Sequence, residues 1–193
     1  MDLAEQKRVV RTQAHALRRA QLNKDELSRQ ILAKFLALRE YQDAGTVLFY
    51  VDVRDEVRTH HELSKALISD KRVVVPYCVD AELKLFPLTR FDELEPGAFG
   101  ILEPKLQLRG LPNKLVGVEQ LDVIMVPGVA FDRRGTRLGH GYGYYDKLLR
   151  HARPGTFLVA LAFECQLFSE IPTSRHDIFM DRVLTELAVY GTG

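Results

Sequence analysis

The sequence predicts an α/β protein built around a mostly parallel sheet. Residues 46–51 and 72–77 are rich in β-branched and apolar side chains, and a helical pattern lies between them. A strand, a helix and a second strand in this order form a βαβ unit, whose two strands are parallel. Residues 121–126 form a continuous apolar run, which is typical of a strand covered on both faces. At 193 residues, the chain is predicted to be a single domain over residues 1–193.

Two helices are predicted before the first strand. Residues 3–22 contain no Gly or Pro, and their apolar side chains recur at helical spacing while basic side chains occupy other faces. Asn23 and Glu26 have the spacing of a capping box, which predicts that a second helix begins there and continues through residues 27–35. The first helix is therefore amphipathic and basic.

The remaining elements follow from the same patterns. Thr59 and Glu62 suggest a cap for the helix of the βαβ unit, which is predicted to end near Ile68. Further strands are predicted at residues 83–88, 121–126, 156–163 and 183–189, and a helix at residues 144–150. Proline and glycine interrupt a long irregular stretch from Pro87 to Pro112.

Composition excludes several classes of protein. The chain has 27 Lys and Arg against 26 Asp and Glu, a net charge of +1, so no global field attracts nucleic acid or an anionic membrane. Cys78 and Cys165 lack metal-ligand spacing and are too few for a disulfide framework. The first residues show no apolar targeting segment, and the longest apolar runs are strand-sized. We expect a cytoplasmic monomer with no nucleic-acid or membrane partner.

Glycine is concentrated in one segment. Five of the 13 glycines lie between Gly128 and Gly143, in a loop that also contains Arg133, Arg134 and Arg137. Glycine lets backbone amides approach a ligand, and a glycine-rich loop that leads into a helix suits phosphate. The spacing matches neither the Walker A motif nor the dinucleotide fingerprint. A ligand-binding loop and a flexible surface loop both remain open from the spacing alone.

The same segment carries a family resemblance. Residues 127–146 read PGVAFDRRGTRLGHGYGYYD, and this string resembles the signature of the 5-formyltetrahydrofolate cyclo-ligase family, also called 5,10-methenyltetrahydrofolate synthetase. Other matching landmarks are Lys7 with Arg11, Asp55 with Glu56, residues 100–104 and residues 181–184. The sequence departs from many relatives at Tyr142 and His140, which occupy variable positions of the motif.

The resemblance implies a three-layer α/β/α fold and an enzyme, a ligase that forms a C–N bond in a ring. The implied reaction closes 5-formyltetrahydrofolate to 5,10-methenyltetrahydrofolate, with ATP as co-substrate, Mg²⁺ as cofactor, and ADP and phosphate as products. The formyl oxygen attacks the γ-phosphate, so no covalent protein nucleophile is needed. Phosphoryl transfer depends mainly on positioning and charge neutralisation, roles that fall to Lys7 and Arg137.

The resemblance also implies the ATP-binding residues. Lys7 and Arg11 are four residues apart, so they share one face of the first helix and can contact phosphates together. Arg137 and the glycine-rich loop supply the other contacts. The loop positions are Leu138, Gly139, His140, Gly141, Tyr142, Gly143, Tyr144 and Tyr145.

Metal and folate contacts are implied in the same way. Asp146 and Asp181 are the candidate carboxylates for Mg²⁺. Glu56 is placed to accept hydrogen bonds from the amino and ring N–H groups of the pterin. The other implied substrate contacts are Val51, His140, Gly141, Tyr142, Gly143 and Tyr144.

Two other functions stay open at this point. The same architecture could bind a phosphorylated metabolite or nucleotide as a non-catalytic sensor, because a fold does not fix a function. The basic first helix could contact nucleic acid, although the chain has no overall basic excess. His140 could donate a proton to the departing oxygen or contact the ligand by hydrogen bonds.

Overall fold

The computed structural model describes residues 2–97, 100–174 and 177–191. The α-helices of these residues are α1 (Leu3–Ala20), α2 (Lys24–Leu36), α3 (Arg39–Asp43), α4 (His60–Ala66) and α5 (Tyr144–Leu149). The strands are β1 (Thr46–Leu48), β2 (Arg72–Val79), β3 (Glu82–Leu88), β4 (Leu94–Pro96), β5 (Leu102–Pro104), β6 (Val123–Val126), β7 (Ala130–Asp132), β8 (Arg137–Leu138), β9 (Phe157–Leu161), β10 (Leu167–Phe168), β11 (Arg182–Leu184) and β12 (Val189–Tyr190).

The centre of the molecule is a seven-stranded sheet in the order β12-β11-β9-β6-β1-β2-β3. The five inner strands are parallel to one another. Strands β3 and β12 pair antiparallel at the two edges. The predicted βαβ unit, β1-α4-β2, is confirmed, as is the mostly parallel sheet. A smaller sheet in the order β10-β7-β8 lies beside it, and β4 pairs with β5 in a hairpin.

Both faces of the central sheet are covered, which confirms the three-layer α/β/α arrangement. Val123 and Met125 of β6 pack in a core with α2 and α4, whereas Ile124 and Val126 pack in a second core with α5. Successive residues of a strand point to opposite faces. Because both faces are covered here, all four side chains are buried. This double burial explains why residues 121–126 are apolar without alternation.

The two helices begin where they are predicted, with Asn23 and Thr59 at the N-cap positions, but neither side chain makes the expected capping bond. Asn23 precedes α2 with φ 54° and makes no capping bond with its side chain. Thr59 makes no cap either, because its hydroxyl donates a hydrogen bond to the carbonyl of Tyr50. Asp52 does this work at α4, since its carboxylate accepts hydrogen bonds from the amides of Thr59 and His60.

Several predicted strand boundaries also change. Strand β2 continues through Pro76 to Val79, whereas its pairing with β1 ends at Val74. Pro76 has no N–H, and it lies where β2 has no partner strand on the β1 side. The strand predicted at residues 83–88 is confirmed as the edge strand β3, which contains Pro87. The predicted strand at residues 183–189 is instead the hairpin β11-β12. Within the described residues, no helix is long and apolar enough to cross a membrane.

Gly135, at the tip of the β7-β8 hairpin, is expected to tolerate no side chain. Its φ is +85°, and an added β-carbon would overlap the carbonyl oxygen of Met180, whose amide donates to Gly135 O at 2.8 Å. We expect Gly135→Ala to lower the free energy of unfolding by roughly 3 kcal/mol, measured by chemical denaturation. Gly155→Ala is the control, because φ is +91° there but no atom lies within 4 Å of the added carbon. An equal loss in both variants would contradict the predicted clash.

Candidate active site

The predicted site residues gather at the carboxyl ends of the parallel strands. The segment after β1 carries Glu56, and the segment after β6 begins with Pro127 and leads through β7 and β8 to the glycine-rich loop. In open α/β sheets, ligands bind beyond this edge of the sheet. The side chain of Leu138 is buried, so only its backbone could contact a ligand.

Helix α1 presents a basic stripe to this loop. Lys7, Arg11 and Arg18 share one helical face with Ala14, which is fully buried against Val129 and its neighbours on β7 and β8. The Arg11 Nε donates to the carbonyl of Gly139 at 2.8 Å, and no other Arg11 bond is found within the described residues. The stripe therefore reaches the loop, with the rest of the Arg11 guanidinium available to a ligand.

Lys7 is fixed by an ion pair with Asp177. The two side chains are 2.7 Å apart and are 17% and 20% exposed. The backbone amide of Ser174 donates to the same carboxylate at 2.7 Å. Burial opposes ionisation of Asp177, but hydrogen bonds from Lys7 and Ser174 outweigh it and lower the pKa of the Asp177 carboxyl from its ordinary value.

Arg137 and Asp146 form a second ion pair at the start of α5. The Arg137 Nη2 donates to Asp146 Oδ1 at 2.8 Å, and its Nη1 donates to the carbonyl of Pro127 at 3.1 Å. The Arg137 Nε is buried, and no residue that the structure describes makes a hydrogen bond to it. The second carboxylate oxygen of Asp146 makes no hydrogen bond within the described residues, and the side chain is 34% exposed.

This carboxylate fits Mg²⁺ in a limited way. Mg²⁺ usually binds one or two carboxylates and completes its coordination with water and substrate phosphates. The partly exposed oxygen of Asp146 suits that pattern. No group of three or more metal-ligating side chains occurs among residues 2–97, 100–174 and 177–191, so phosphate and water would have to supply the other ligands.

Three glycines shape the glycine-rich loop. Gly141 has φ +103° and lies against the Arg11 guanidinium. A β-carbon at Gly139 would come within 2.8 Å of Arg137 Nη1, so a side chain there would displace that guanidinium. Gly143, with φ +71°, precedes α5. The loop thus keeps its backbone close to two cations, as the sequence pattern indicates.

Glu56 is buried at the edge of the site. Its side chain is 9% exposed, Oε2 accepts a hydrogen bond from Val53 N at 3.1 Å, and Oε1 lies 3.9 Å from His140 Nε2. Asp55 turns away and pairs with Lys24 at 3.3 Å. Of this adjacent pair of carboxylates, only Glu56 approaches the glycine-rich loop.

His140 connects Glu56 with α1. Its ring packs against His15 with centroids 5.4 Å apart, while its own side chain is 45% exposed. Burial, then the nearby charge of Arg18, lowers the pKa of His15. His140 therefore lies between the carboxylate and the basic helix.

The tyrosines of the motif divide into two groups. Tyr142 and Tyr144 stack with ring centroids 5.7 Å apart, and Tyr142 is 72% exposed, so a flat ligand could reach this stack. Tyr145 packs against the core, where burial raises the pKa of its phenol. Val51 is also in the core and is 7% exposed, so it is not presented to a ligand ring.

Comparison with known proteins identifies the family. The family model described as the 5-formyltetrahydrofolate cyclo-ligase family matches residues 3–186. This chain belongs to that family. The match covers α1, the glycine-rich loop and both ion pairs described above.

Individual relatives give the same result. A mouse 5-formyltetrahydrofolate cyclo-ligase is 30% identical and covers 86% of each chain. A Mycolicibacterium smegmatis protein of the same name is 37% identical over 72% of this chain and 73% of its own. The solved Aquifex aeolicus 5,10-methenyltetrahydrofolate synthetase has a TM-score of 0.81 and 30% identity, with 99% of this chain and 93% of that chain covered.

The structure does not bring Asp181 to the site. Asp181 immediately precedes β11, and its carboxylate accepts a hydrogen bond from Leu158 N at 2.7 Å, at the start of β9. These are the amino ends of parallel strands, whereas Asp146 lies beyond their carboxyl ends. Strands of this length place the two carboxylates roughly 15 Å apart, so the structure does not place Asp181 where it could share an ion with Asp146.

Sequence reasoning missed three residues of the site. Arg18 is buried on the stripe of α1, and its spacing of seven and eleven residues from Arg11 and Lys7 indicates that shared face. Gln166 donates to the carbonyls of Gly128 and Val129 from a short turn before β10, and nothing in its local sequence indicates this. Asp177 likewise lies 170 residues from its partner Lys7.

The Lys7–Asp177 pair is expected to stabilise the docked helix. We expect Asp177→Asn to lower the free energy of unfolding by about 1–2 kcal/mol at neutral pH, because a part-buried charged hydrogen bond is lost. Folding lowers the pKa of Asp177. Its contribution to the free energy of unfolding is therefore fully present above the ordinary aspartate pKa of about 4, and it disappears as the pH falls through the lowered pKa. Denaturation of both proteins across pH 2–7 measures the difference.

Glu5→Gln is the matched control, because the Glu5–Arg8 pair lies on the same helix but is exposed. It should leave stability unchanged. A difference between wild type and Asp177→Asn that persists at the lowest pH would contradict the role of ionised Asp177.

Proposed function

We propose that this member of the family closes 5-formyltetrahydrofolate to 5,10-methenyltetrahydrofolate with ATP, at the site between α1 and the glycine-rich loop. The observation that carries the proposal is the contact of Arg11 with Gly139, which places a basic helix face on the family's signature loop. Glu56 lies next to the same loop through His140. A phosphate site and a pterin site are therefore adjacent, as one reaction between the two ligands requires.

The ATP phosphates are assigned to the cationic side of the loop. Lys7, Arg11 and Arg137 supply positive charge, and the backbone from Gly139 to Tyr145 supplies amides. The unbonded nitrogen atoms of Arg11 and the partnerless Nε of Arg137 support this assignment, because each is a donor with unused capacity. Tyr145 contributes by packing beneath the loop.

The folate is assigned to the opposite side of His140. The Glu56 carboxylate accepts from the N–H groups of the pterin, and the Tyr142–Tyr144 stack offers a flat surface for its aromatic portion. Gly141 and Gly143 keep the loop backbone accessible between them. Val51 supports this wall from the core without contacting the ligand.

The chemistry consists of phosphoryl transfer followed by ring closure. The formyl oxygen attacks the γ-phosphorus and ADP leaves, and then the second folate nitrogen attacks the activated formyl carbon. The phosphate leaves with the former formyl oxygen, and the nitrogen loses its proton. Lys7, Arg11 and Arg137 neutralise the transferring group and hold it in line. Mg²⁺ bound by Asp146 would neutralise further phosphate charge.

The proposal includes the setting of the enzyme. It is a cytoplasmic monomer that acts on small molecules and has no nucleic-acid or membrane partner, as its sequence predicts. Light scattering should give a mass of 22.0 kDa, the mass of one chain. A spectrophotometric turnover assay, with and without ATP, tests the activity itself. ATP binding without methenyl product would favour the sensor instead.

Asp146→Asn is expected to weaken metal-dependent steps while the protein stays folded. The amide keeps an acceptor for Arg137 but removes the charge that Mg²⁺ requires, so the Mg²⁺ concentration for half-maximal rate should rise roughly tenfold or more. Turnover and calorimetric ATP binding across a Mg²⁺ series measure this. Asp43→Asn, at an exposed carboxylate on α3, is the control. Wild-type behaviour of a folded Asp146→Asn protein at limiting Mg²⁺ would remove Asp146 from the metal site.

Glu56→Gln is expected to weaken folate binding selectively. Glutamine replaces one acceptor oxygen with a donor that meets a pterin N–H, which costs about 2–4 kcal/mol of binding. Paired calorimetric titrations with 5-formyltetrahydrofolate and with ATP measure it, and ATP affinity should barely change. Asp55→Asn removes the adjacent carboxylate as a matched control. Equal losses for both ligands, or no loss for the folate, would show that Glu56 does not bind the pterin.

A further inference from the structure

Asp177 is a part-buried carboxylate that the assigned reaction does not use. It lies on the segment after β10, whose Ile171 is 1% exposed. Ile171 packs in one small core with Ala14 of α1 and Leu138 of β8, and its amide donates to the buried carboxylate of Asp132 at 3.2 Å. One cluster of apolar side chains therefore holds this segment, helix α1 and the start of the glycine-rich loop together.

The Asp177 carboxylate is fixed from two directions. Its Oδ2 atom accepts hydrogen bonds from Lys7 Nζ and from Ser174 N, each at 2.7 Å. The Asp177 amide donates in return to the carbonyl of Ser174 at 3.2 Å. Because backbone groups hold the acceptor oxygen in place, the flexible lysine takes its position from Asp177 rather than the reverse.

Lys7 depends on such a partner more than the other cations of the site do. Arg11 donates to a carbonyl of the loop itself, and Arg137 pairs with Asp146 at the start of α5. A lysine carries a point charge on a flexible four-carbon stem, so its own shape does not orient it. A ligand that must order such a side chain loses binding energy. An ion pair that already fixes Lys7 removes part of that loss.

The pair leaves Lys7 with hydrogen-bond donors for an anion. The ammonium carries three N–H groups, and Asp177 is its one hydrogen-bond partner among residues 2–97, 100–174 and 177–191. Burial opposes ionisation of Asp177, but hydrogen bonds from Lys7 and Ser174 outweigh it and lower the pKa of the carboxyl, so the pair is ionic at neutral pH. Two N–H groups of the ammonium therefore remain for a phosphate.

We propose that Asp177 is a positioning residue for ATP, which orients the Lys7 ammonium toward the phosphates bound at the glycine-rich loop. The inference rests on the proposed function, in which Lys7 contacts those phosphates. Asp177 acts only through Lys7 and touches neither ligand. The segment after β10 thereby supports the phosphate site, together with α1 and the glycine-rich loop.

Removal of the carboxylate should weaken ATP binding and leave folate binding intact. In Asp177→Ala, ATP itself must order Lys7, so the Kd and the KM for ATP should rise roughly five- to tenfold. Asp177→Asn keeps an acceptor oxygen without the charge, and it should recover part of the ATP affinity. A merely structural role would lower the amount of active enzyme, and with it the apparent kcat, without changing Kd or KM for either ligand.

The experiment combines calorimetric titrations with ATP and, separately, with 5-formyltetrahydrofolate, and turnover measured at varied ATP. Glu170→Ala is the matched control, because Glu170 lies on the same segment but is 73% exposed and pairs with Arg134. Circular dichroism and thermal unfolding establish the temperature at which each variant is folded. Unchanged ATP affinity in folded Asp177→Ala, or an equal loss of both ligands, would overturn the proposal. Tighter ATP binding would also overturn it, because Asp177 would then compete with phosphate for Lys7.

A Lys7→Met variant separates this inference from the proposed function. In a Lys7→Met background, Asp177→Ala should cause no further loss of ATP affinity, because its effect passes through the ammonium. A further loss would overturn the role of Asp177 while leaving the phosphate contact of Lys7 intact. If Lys7→Met alone binds ATP as the wild type does, the proposed phosphate contact of Lys7 is wrong, and the role of Asp177 falls with it.

Discussion

The site depends on hydrogen bonds from one helix to backbone carbonyls of the loop that it faces. Arg11 donates to Gly139 and Arg18 donates to Gly128, so two side chains of α1 hold both ends of the segment that contains the β7-β8 hairpin. Gln166 adds a third donor at Gly128. Carbonyl acceptors leave the arginine charges unneutralised, and a guanidinium with remaining donors suits an anionic ligand. The same contacts therefore fix the loop and preserve its positive potential.

The acidic groups of the site have the complementary arrangement. Asp146 and Asp177 each bind one basic side chain at the rim, whereas Glu56 is buried beside His140. Positive charge thus accumulates along α1 and the loop, and the Glu56 carboxylate lies beside it.

Much of this arrangement could be predicted from the sequence, because it depends on local patterns. The βαβ unit, the buried strand β6, the basic helix and the glycine-rich loop all follow from periodicity and composition. The β7-β8 hairpin could not be predicted in this way. Residues 127–138 have the glycine and charge content of a loop, and the two strands pair at only two positions. Pro76 gave a misleading boundary because it lies where one side of β2 is unpaired.

Long-range partners formed the other limit. Aspartate is a common metal ligand, so the residue type of Asp181 suggests a metal site. Only the three-dimensional structure shows that its carboxylate accepts a hydrogen bond from Leu158 N at the amino ends of the parallel strands. Lys7 with Asp177 and Arg18 with Gly128 join residues 170 and 110 positions apart, for which no local pattern exists. Helical phase does place Arg18 beside Arg11 and Lys7, so the stripe itself was accessible to sequence reasoning.

The distance along the chain between α1 and its loop has a consequence for biosynthesis. During translation α1 leaves the ribosome before its loop, because the carbonyls that it binds follow 110 and 128 residues later. At roughly 5–20 residues per second, the helix waits for several seconds with its apolar face uncovered. Its many basic residues help to keep it dissolved during that interval. The nascent chain gains these contacts only after Gly139 has been made, so shorter partial products contain the basic helix without the carbonyls that it binds.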